Sequence, residues 1–424
     1  MKQPATTSRA VIDLDALRRN ARLLAATAAT PWMAVVKADA YGHGIGPVAL
    51  TCLEAGASWL GVAQLAEALH LRGLLDRAGT TRPEPGPDAV PTGRAPRLLT
   101  WLAPVLEPQE AAAPGSPLRQ ALEADLDLSA SSPAQLAAVA AAAAAHVEAG
   151  GRPARLHLKA DTGLSRAGAV ADDLPALAAA ARAAEQDGAL DVVGLWSHLA
   201  RADEPACGAT EAQLAAFRLA EAVVAEAGLV PRVRHIAATG GLLWHPEARL
   251  DLVRAGIGLY GLSPDPAVAT AAELGLTPVM RLEAPLTMTK RVAAGTAVSY
   301  GGTWCAPTDR WLGLVPLGYA DGVPRHAASV GPVAVGGLRT TVVGRVCMDQ
   351  FVIDLGPAVD EDGHDLPCPA RAGDTAVLWG PPQADGTVPT ADEWAAACGT
   401  INYEIVTRLG PHVPRVPVSQ EDRS

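Results

Sequence analysis

From about residue 12 to residue 272, short apolar runs alternate with longer stretches in which apolar residues recur every three or four positions. The runs PWMAVVKADAYG, WLGVAQ, PRLLTWLAP, LDLSAS, ARLHLKADTG, LDVVGLWSHLA and VRHIAATGG each end near polar residues or glycine, and they predict strands. Between them, segments such as PAQLAAVAAAAAAHVEAG and TEAQLAAFRLAEAVVAEAG have helical spacing. Strand–helix units repeated in this way predict an α/β fold, a (β/α)8 TIM-type barrel over residues 12–272. Beyond it, LEAPLTMTKRVAAGTAVSYGG, RWLGLVPLGYADG, GPVAVGGLRTTVVGRVCMDQFVIDLG and RAGDTAVLWG are short β-branched runs broken by glycine, with no long helical pattern. They predict a mainly β C-terminal domain over 273–424, with residues 1–11 packed on it. Residues 76–97, dense in proline, glycine and charge, predict a surface insertion without regular structure.

Composition narrows the function classes. The 424 residues suffice for a barrel and a second module. A net charge of -11 and the lack of any Lys/Arg stripe argue against a nucleic-acid partner, though not against a small anion held by a few arginines. Six cysteines without CxxC spacing predict reduced thiols, a cytoplasmic location and no metal centre. No signal-peptide core precedes the barrel. The alanine-rich run from Leu136 is about half a membrane span, so no membrane partner is expected.

Lysine usage points to chemistry. Lys and Arg total 34, yet only Lys2, Lys37, Lys159 and Lys290 are lysine. Where any cation would serve, this chain uses arginine, which neither deprotonates nor forms an imine. A retained lysine is therefore a candidate amine. Lys37, Lys159, His198 and Thr239 also fall at the C-terminal ends of predicted barrel strands, where barrel chemistry sits. The five tyrosines, Tyr41, Tyr260, Tyr300, Tyr319 and Tyr403, lie in short glycine-marked or polar segments, and none reads as core filling. Together they suggest an amine and several phenols around one site.

Eight segments, AVVKADAYGHG, HLKADTGLSRAG, GLWSHLARAD, LDLVRAGIGLYGLSP, AVSYGGTW, LGYADGVPR, VVGRVCMDQFVIDLG and INYEIVTRL, occur in the order of the alanine racemase family, which this chain resembles over nearly its whole length. The resemblance implies a racemase dependent on pyridoxal 5'-phosphate (PLP). It would interconvert L- and D-alanine for peptidoglycan precursors, with Lys37 as covalent anchor and one base. Tyr300 is implied as the second base, supplied by the other subunit of a homodimer. Arg254 is implied at the pyridine nitrogen, and His198 beside the ring, linking Arg254 towards Tyr300 in a chain of cations that lowers the phenol's pKa. Tyr41, Thr239, Gly256, Ile257 and Tyr403 are implied phosphate ligands. Arg166 is implied at the cofactor's phenolic oxygen and the substrate carboxylate, with Lys159 as a possible carbamylated lysine holding it. Met348 is implied at the carboxylate too, and Tyr319 and Arg325 at the substrate channel.

Ala238-Thr239 departs from the family's usual Asn-Ser; the hydroxyl is kept and the amide lost. Three other readings remain at this point: a racemase of serine or of broader specificity, a PLP decarboxylase on a related scaffold, and a PLP carrier without turnover. Arg254 and Tyr300 argue against the decarboxylase, and the β domain argues against the carrier.

Overall fold

The computed structural model describes residues 8–83 and 91–419. Those parts of the sequence reading that fall on 1–7, 84–90 and 420–424 lie outside the described residues.

Nine strands carry the first two-thirds of the chain: β1 (Arg9–Asp13), β2 (Trp32–Val35), β3 (Trp59–Gln64), β4 (Arg97–Leu102), β5 (Asp127–Ala130), β6 (Ala154–Lys159), β7 (Leu190–Trp196), β8 (Val233–His235) and β9 (Val253–Ala255). Eight of them form one parallel sheet in the order β8-β7-β6-β5-β4-β3-β2-β9. At the seam, Asp251 N–H donates to Arg234 O at 3.2 Å and Arg254 N–H to Ala237 O at 3.0 Å, so the barrel is nearly closed. The seven predicted runs supply β2 to β8, and the eighth place is filled by the three-residue β9. Helices such as Pro133–Glu148 and Ala209–Glu226 bury leucine, valine and small alanine faces against the strands. Among the described residues, no helix is long and apolar enough to cross a membrane.

Of the remaining strands, Ala297–Val298 pairs with Trp304–Cys305 in a separate two-stranded sheet, and the other nine form one sheet. Its order is Met288–Val292, Arg310–Val315, Phe351–Pro357, Leu338–Val343, Pro332–Val335, Thr375–Trp379, Met280–Pro285, β1 and Arg415–Val418. β1 runs antiparallel to Met280–Pro285 and parallel to Arg415–Val418. It straddles residue 12, where the sequence reading begins the barrel. Two helices interrupt this β region, Ala391–Cys398 and Asn402–Thr407. The first starts at a capping box in which Thr390 Oγ1 accepts from Glu393 N–H and Thr390 N–H donates to the Glu393 carboxylate. The expected insertion also has firmer edges than predicted, since Asp76 and Arg77 end a helix and Arg97 begins β4.

Candidate active site

A cavity of about 280 Å³ opens at the C-terminal ends of the barrel strands. Val35, Lys37, Tyr41, Trp101, Lys159, Arg166, Trp196, His198, Ala238, Thr239, Gly240, Arg254, Gly256, Ile257 and Tyr403 line it. The fold thus brings together Lys37, Lys159 and every barrel residue expected to bind a cofactor, with Tyr403 added from the C-terminal helix Asn402–Thr407.

Four cations meet here. Lys37 follows β2, Lys159 ends β6, Arg166 lies on the loop beyond it, and Arg254 is in β9. Burial lowers the Lys37 pKa, and the guanidinium groups of Arg166 and Arg254 lower it further against the opposing pull of Glu67. The Lys159 amine is pushed down to about 8, first by burial and then by Arg254 and Arg166. Its Nζ lies 4.1 Å from the Trp196 ring centroid, and the Arg254 guanidinium carbon lies 5.0 Å from the same ring.

Arg254 is fixed from behind. It donates through Nη1 to His235 Nδ1 at 3.0 Å. Nη2 donates to Ser197 O and His198 Nδ1, both at 2.9 Å, and to Ile236 O at 3.0 Å. A guanidinium only donates, so the receiving nitrogens of His198 and His235 must be bare acceptors. His235 then donates from Nε2 to His157 Nδ1 at 3.0 Å, and His157 donates from Nε2 to Asp127 Oδ2 at 3.3 Å. The result is a one-way donor chain through the barrel interior, ending on a fully buried carboxylate. Burial alone would raise the Asp127 pKa, but Arg155, the bond from His157 and Arg97 hold it down at about 2. Burial and then Arg254 depress both His198 and His235 far below the ordinary imidazole range. His198 is therefore neutral, and the expected chain of cations is corrected: a guanidinium beside a buried imidazole keeps the second proton off.

The cavity fits a phosphorylated, aromatic, anionic cofactor. Its wall is cationic, and Gly256 leaves room where an added Cβ would lie 2.8 Å from the Tyr41 hydroxyl. Thr239 Oγ1 accepts from Gly256 N–H at 3.0 Å and from Gly258 N–H at 3.4 Å, which leaves its own hydrogen to donate. Gly256, implied with Ile257 as a phosphate ligand, thus has its backbone amide already engaged. The Tyr41 and Tyr403 rings stand 6.3 Å apart on the cavity wall.

Other expectations part from this geometry. Tyr300, Tyr319 and Met348 do not reach the cavity within one chain; they lie on the β region and are 71%, 43% and 54% exposed. Arg325 is exposed as well. Tyr260 is core filling after all: it is fully buried, donates to Val35 O at 2.9 Å and packs on Tyr41 with ring centroids 4.7 Å apart. Residues not foreseen are Trp101 and Trp196 on the wall and the His235–His157–Asp127 chain behind it. A histidine on an apolar strand was the available signal for His157 and His235, but 78 residues separate them.

Comparison with known proteins agrees over the full length. The family profile described as "Alanine racemase, N-terminal domain" matches residues 12–264, and "Alanine racemase, C-terminal domain" matches 279–417. The chain is 49% identical to the alanine racemase of Beutenbergia cavernae over 98% of this chain and 99% of that one. It is 47% identical to that of Salinispora arenicola over 95% and 96%. Among solved structures, the alanine racemase of D-cycloserine-producing Streptomyces lavendulae superposes with a TM-score of 0.85 at 45% identity, covering 98% of each chain. That of Streptomyces coelicolor gives 0.84 at 48%, covering 97% of this chain and 98% of that one.

Proposed function

Because the chain belongs to the alanine racemase family, we propose that it interconverts L- and D-alanine with PLP held in the barrel cavity and Lys37 as its covalent anchor. The observation that carries this reading is the convergence of Lys37, Tyr41, Arg166, His198, Thr239, Arg254 and Tyr403 on one cationic cavity. The D-alanine formed supplies peptidoglycan precursors. In domain terms we assign 12–272 to the cofactor-binding barrel and 273–424 to the β domain. The six free cysteines favour a reducing, cytoplasmic setting.

When bound, the cofactor supplies the electron sink that makes the substrate's Cα–H acidic. The protein does the rest. Thr239, Tyr41, Tyr403 and the Ile257 amide would hold the phosphate, with Gly256 giving it space. Arg254 would donate to the ring nitrogen and, as a cation with only donors, would leave that nitrogen unprotonated. Its place is fixed by the four hydrogen bonds described above. Lys37 Nζ, with its lowered pKa, takes or returns the Cα proton on one face. Tyr300 Oη, exposed in this chain, does so on the other face in the site of a second copy, so the working unit is a homodimer with shared sites. Arg166 and the Met348 amide hold the substrate carboxylate, and Tyr319 stands at the entry. Lys159, whose low pKa leaves a fraction of uncharged amine, is suited to carbamylation that would brace Arg166.

Turnover in D₂O over a panel of amino acids tests the reading. Deuterium should enter Cα of both alanine enantiomers, with serine and larger amino acids much slower. Retained Cα protium, or release of carbon dioxide, contradicts it.

A further inference from the structure

The four residues after Lys37 all have positive φ, from 52° to 55°, and form one turn of left-handed helix. Left-handed geometry is unfavourable for every non-glycine residue, so this turn must be held by its surroundings. Part of the clamp is local to the barrel. Ala38 N–H donates to Glu67 Oε1 at 2.6 Å, and Ile45 N–H donates to Asp39 Oδ1 at 2.8 Å. The rest comes from the C-terminal region. Arg415 Nε–H donates to Gly42 O at 2.9 Å, and Gly42 (φ 78°) sits so close to Val406 O that a Cβ would collide with it.

His43 lies at the joint between the two regions. Its Nδ1 is 2.8 Å from Tyr41 O and 3.1 Å from Ala40 O. Both are acceptors, so Nδ1 carries the hydrogen and Nε2 is a bare acceptor. That Nε2 is buried without a partner, and so is Trp379 Nε1–H, which can only donate. The two side chains are 2% and 1% exposed. They line the same small cavity, about 10 Å³ in volume, whose other walls are largely apolar. His43, with an acceptor lacking a donor, and Trp379, with a donor lacking an acceptor, thus line a space the size of one water. Leaving both unmet would be costly, since each has given up its hydrogen bonds to water.

We propose that His43 is a positioning residue for the reaction: it holds the left-handed turn through Nδ1 and, through one buried water between Nε2 and Trp379 Nε1, ties that turn to the nine-stranded sheet. The water donates to His43 and accepts from Trp379. The β region thereby helps set where Lys37 and Tyr41 stand, although neither His43 nor Trp379 lines the active-site cavity. The proposal rests on the assignment of Lys37 and Tyr41 to the cofactor made above.

The test uses the holoenzyme with His43→Phe, His43→Asn and Trp379→Phe, and reads cofactor release on dilution together with kcat and KM. His43→Phe should release the cofactor about tenfold faster and lower kcat while KM for alanine holds, the scale of one lost buried hydrogen bond. His43→Asn, which keeps a donor near Nδ1, should recover most of the loss. Trp379→Phe removes the donor to the water, and should speed release by about threefold. Release at the wild-type rate by Trp379→Phe, or no recovery by His43→Asn, overturns the proposal; should His43→Phe fail to fold, those two variants still decide it. A high-resolution crystal structure checks the bridge independently of how the cofactor is held. Density for one water within hydrogen-bond reach of both atoms supports it, and its lack refutes it. A wild-type protein that loses cofactor on dilution while showing that water would instead count against the parent assignment.

Discussion

The barrel and the β region contribute to the candidate site in opposite ways. Barrel residues converge: Lys37, Lys159, Arg166, His198, Thr239 and Arg254 come from different strands and loops, yet all face one cavity. The β-region residues expected to act with them, Tyr300, Tyr319 and Met348, point to solvent in the same chain. The residues proposed to hold the cofactor can thus be assembled in one copy while Tyr300 and Met348, proposed to act on the substrate, are not. The contrast teaches that the exposure of Tyr300, a residue proposed to act on the substrate, is a structural argument for a second copy, since burying a phenol beside a substrate requires walls this chain does not supply.

The largest effect separating the two regions is expected from Lys37→Ala. It should abolish the cofactor's visible absorbance and lower racemisation by at least roughly 10⁴, because both covalent anchor and base are lost. Retained absorbance would move the anchor elsewhere. Tyr300→Phe should keep the absorbance and lower turnover from L-alanine by about 10²–10⁴, the usual worth of one general acid–base group. Unchanged racemisation in both directions would remove Tyr300 from the reaction.

Acid should act on the barrel side. Burial pushes His43 down to about 4, and His198 and His235 are also held low, so folding favours their neutral forms. That stabilisation is fully present above the unfolded imidazole pKa near 6.5 and is lost as pH falls from there towards 4, by about 3 kcal/mol for His43 alone. The urea midpoint should therefore drop steadily between pH 6.5 and 4.5, and a flat profile would contradict the assignment of neutral histidines. The smallest expected effect is from Tyr260→Phe. Loss of its bond to Val35 O should cost about 1 kcal/mol of stability, read from the urea midpoint, with kcat nearly unchanged. A large fall in kcat would return Tyr260 to the site.

What the sequence made legible follows from the range of each signal. Runs such as WLGVAQ and LDVVGLW became β3 and β7 because a buried parallel strand needs only a continuous apolar stretch. The eighth barrel strand was missed because Val253–Ala255 is three residues long and is closed by hydrogen bonds across a seam. Helix Ala391–Cys398 was missed although its capping box, Thr390 with Glu393, was present in TADE. The convergence of strand-end residues was legible once a barrel was assumed, because such ends meet on one face. The donor chain from Arg254 to Asp127 was not, since its members are scattered from 127 to 254 and its direction depends on which atom can only donate. Tyr260 misled for a related reason: flanking glycines mark a turn, and only packing shows which side of the turn the ring takes.

The sharing of sites between copies is the central claim, and complementation tests it most directly. Lys37→Ala and Tyr300→Phe chains, each nearly inactive alone, are co-expressed or mixed under conditions that let subunits exchange. If Tyr300 of one copy completes the cavity of the other, each mixed dimer holds one intact site, and random pairing should restore about one quarter of wild-type activity. A mixture no more active than the sum of its parts would contradict the account.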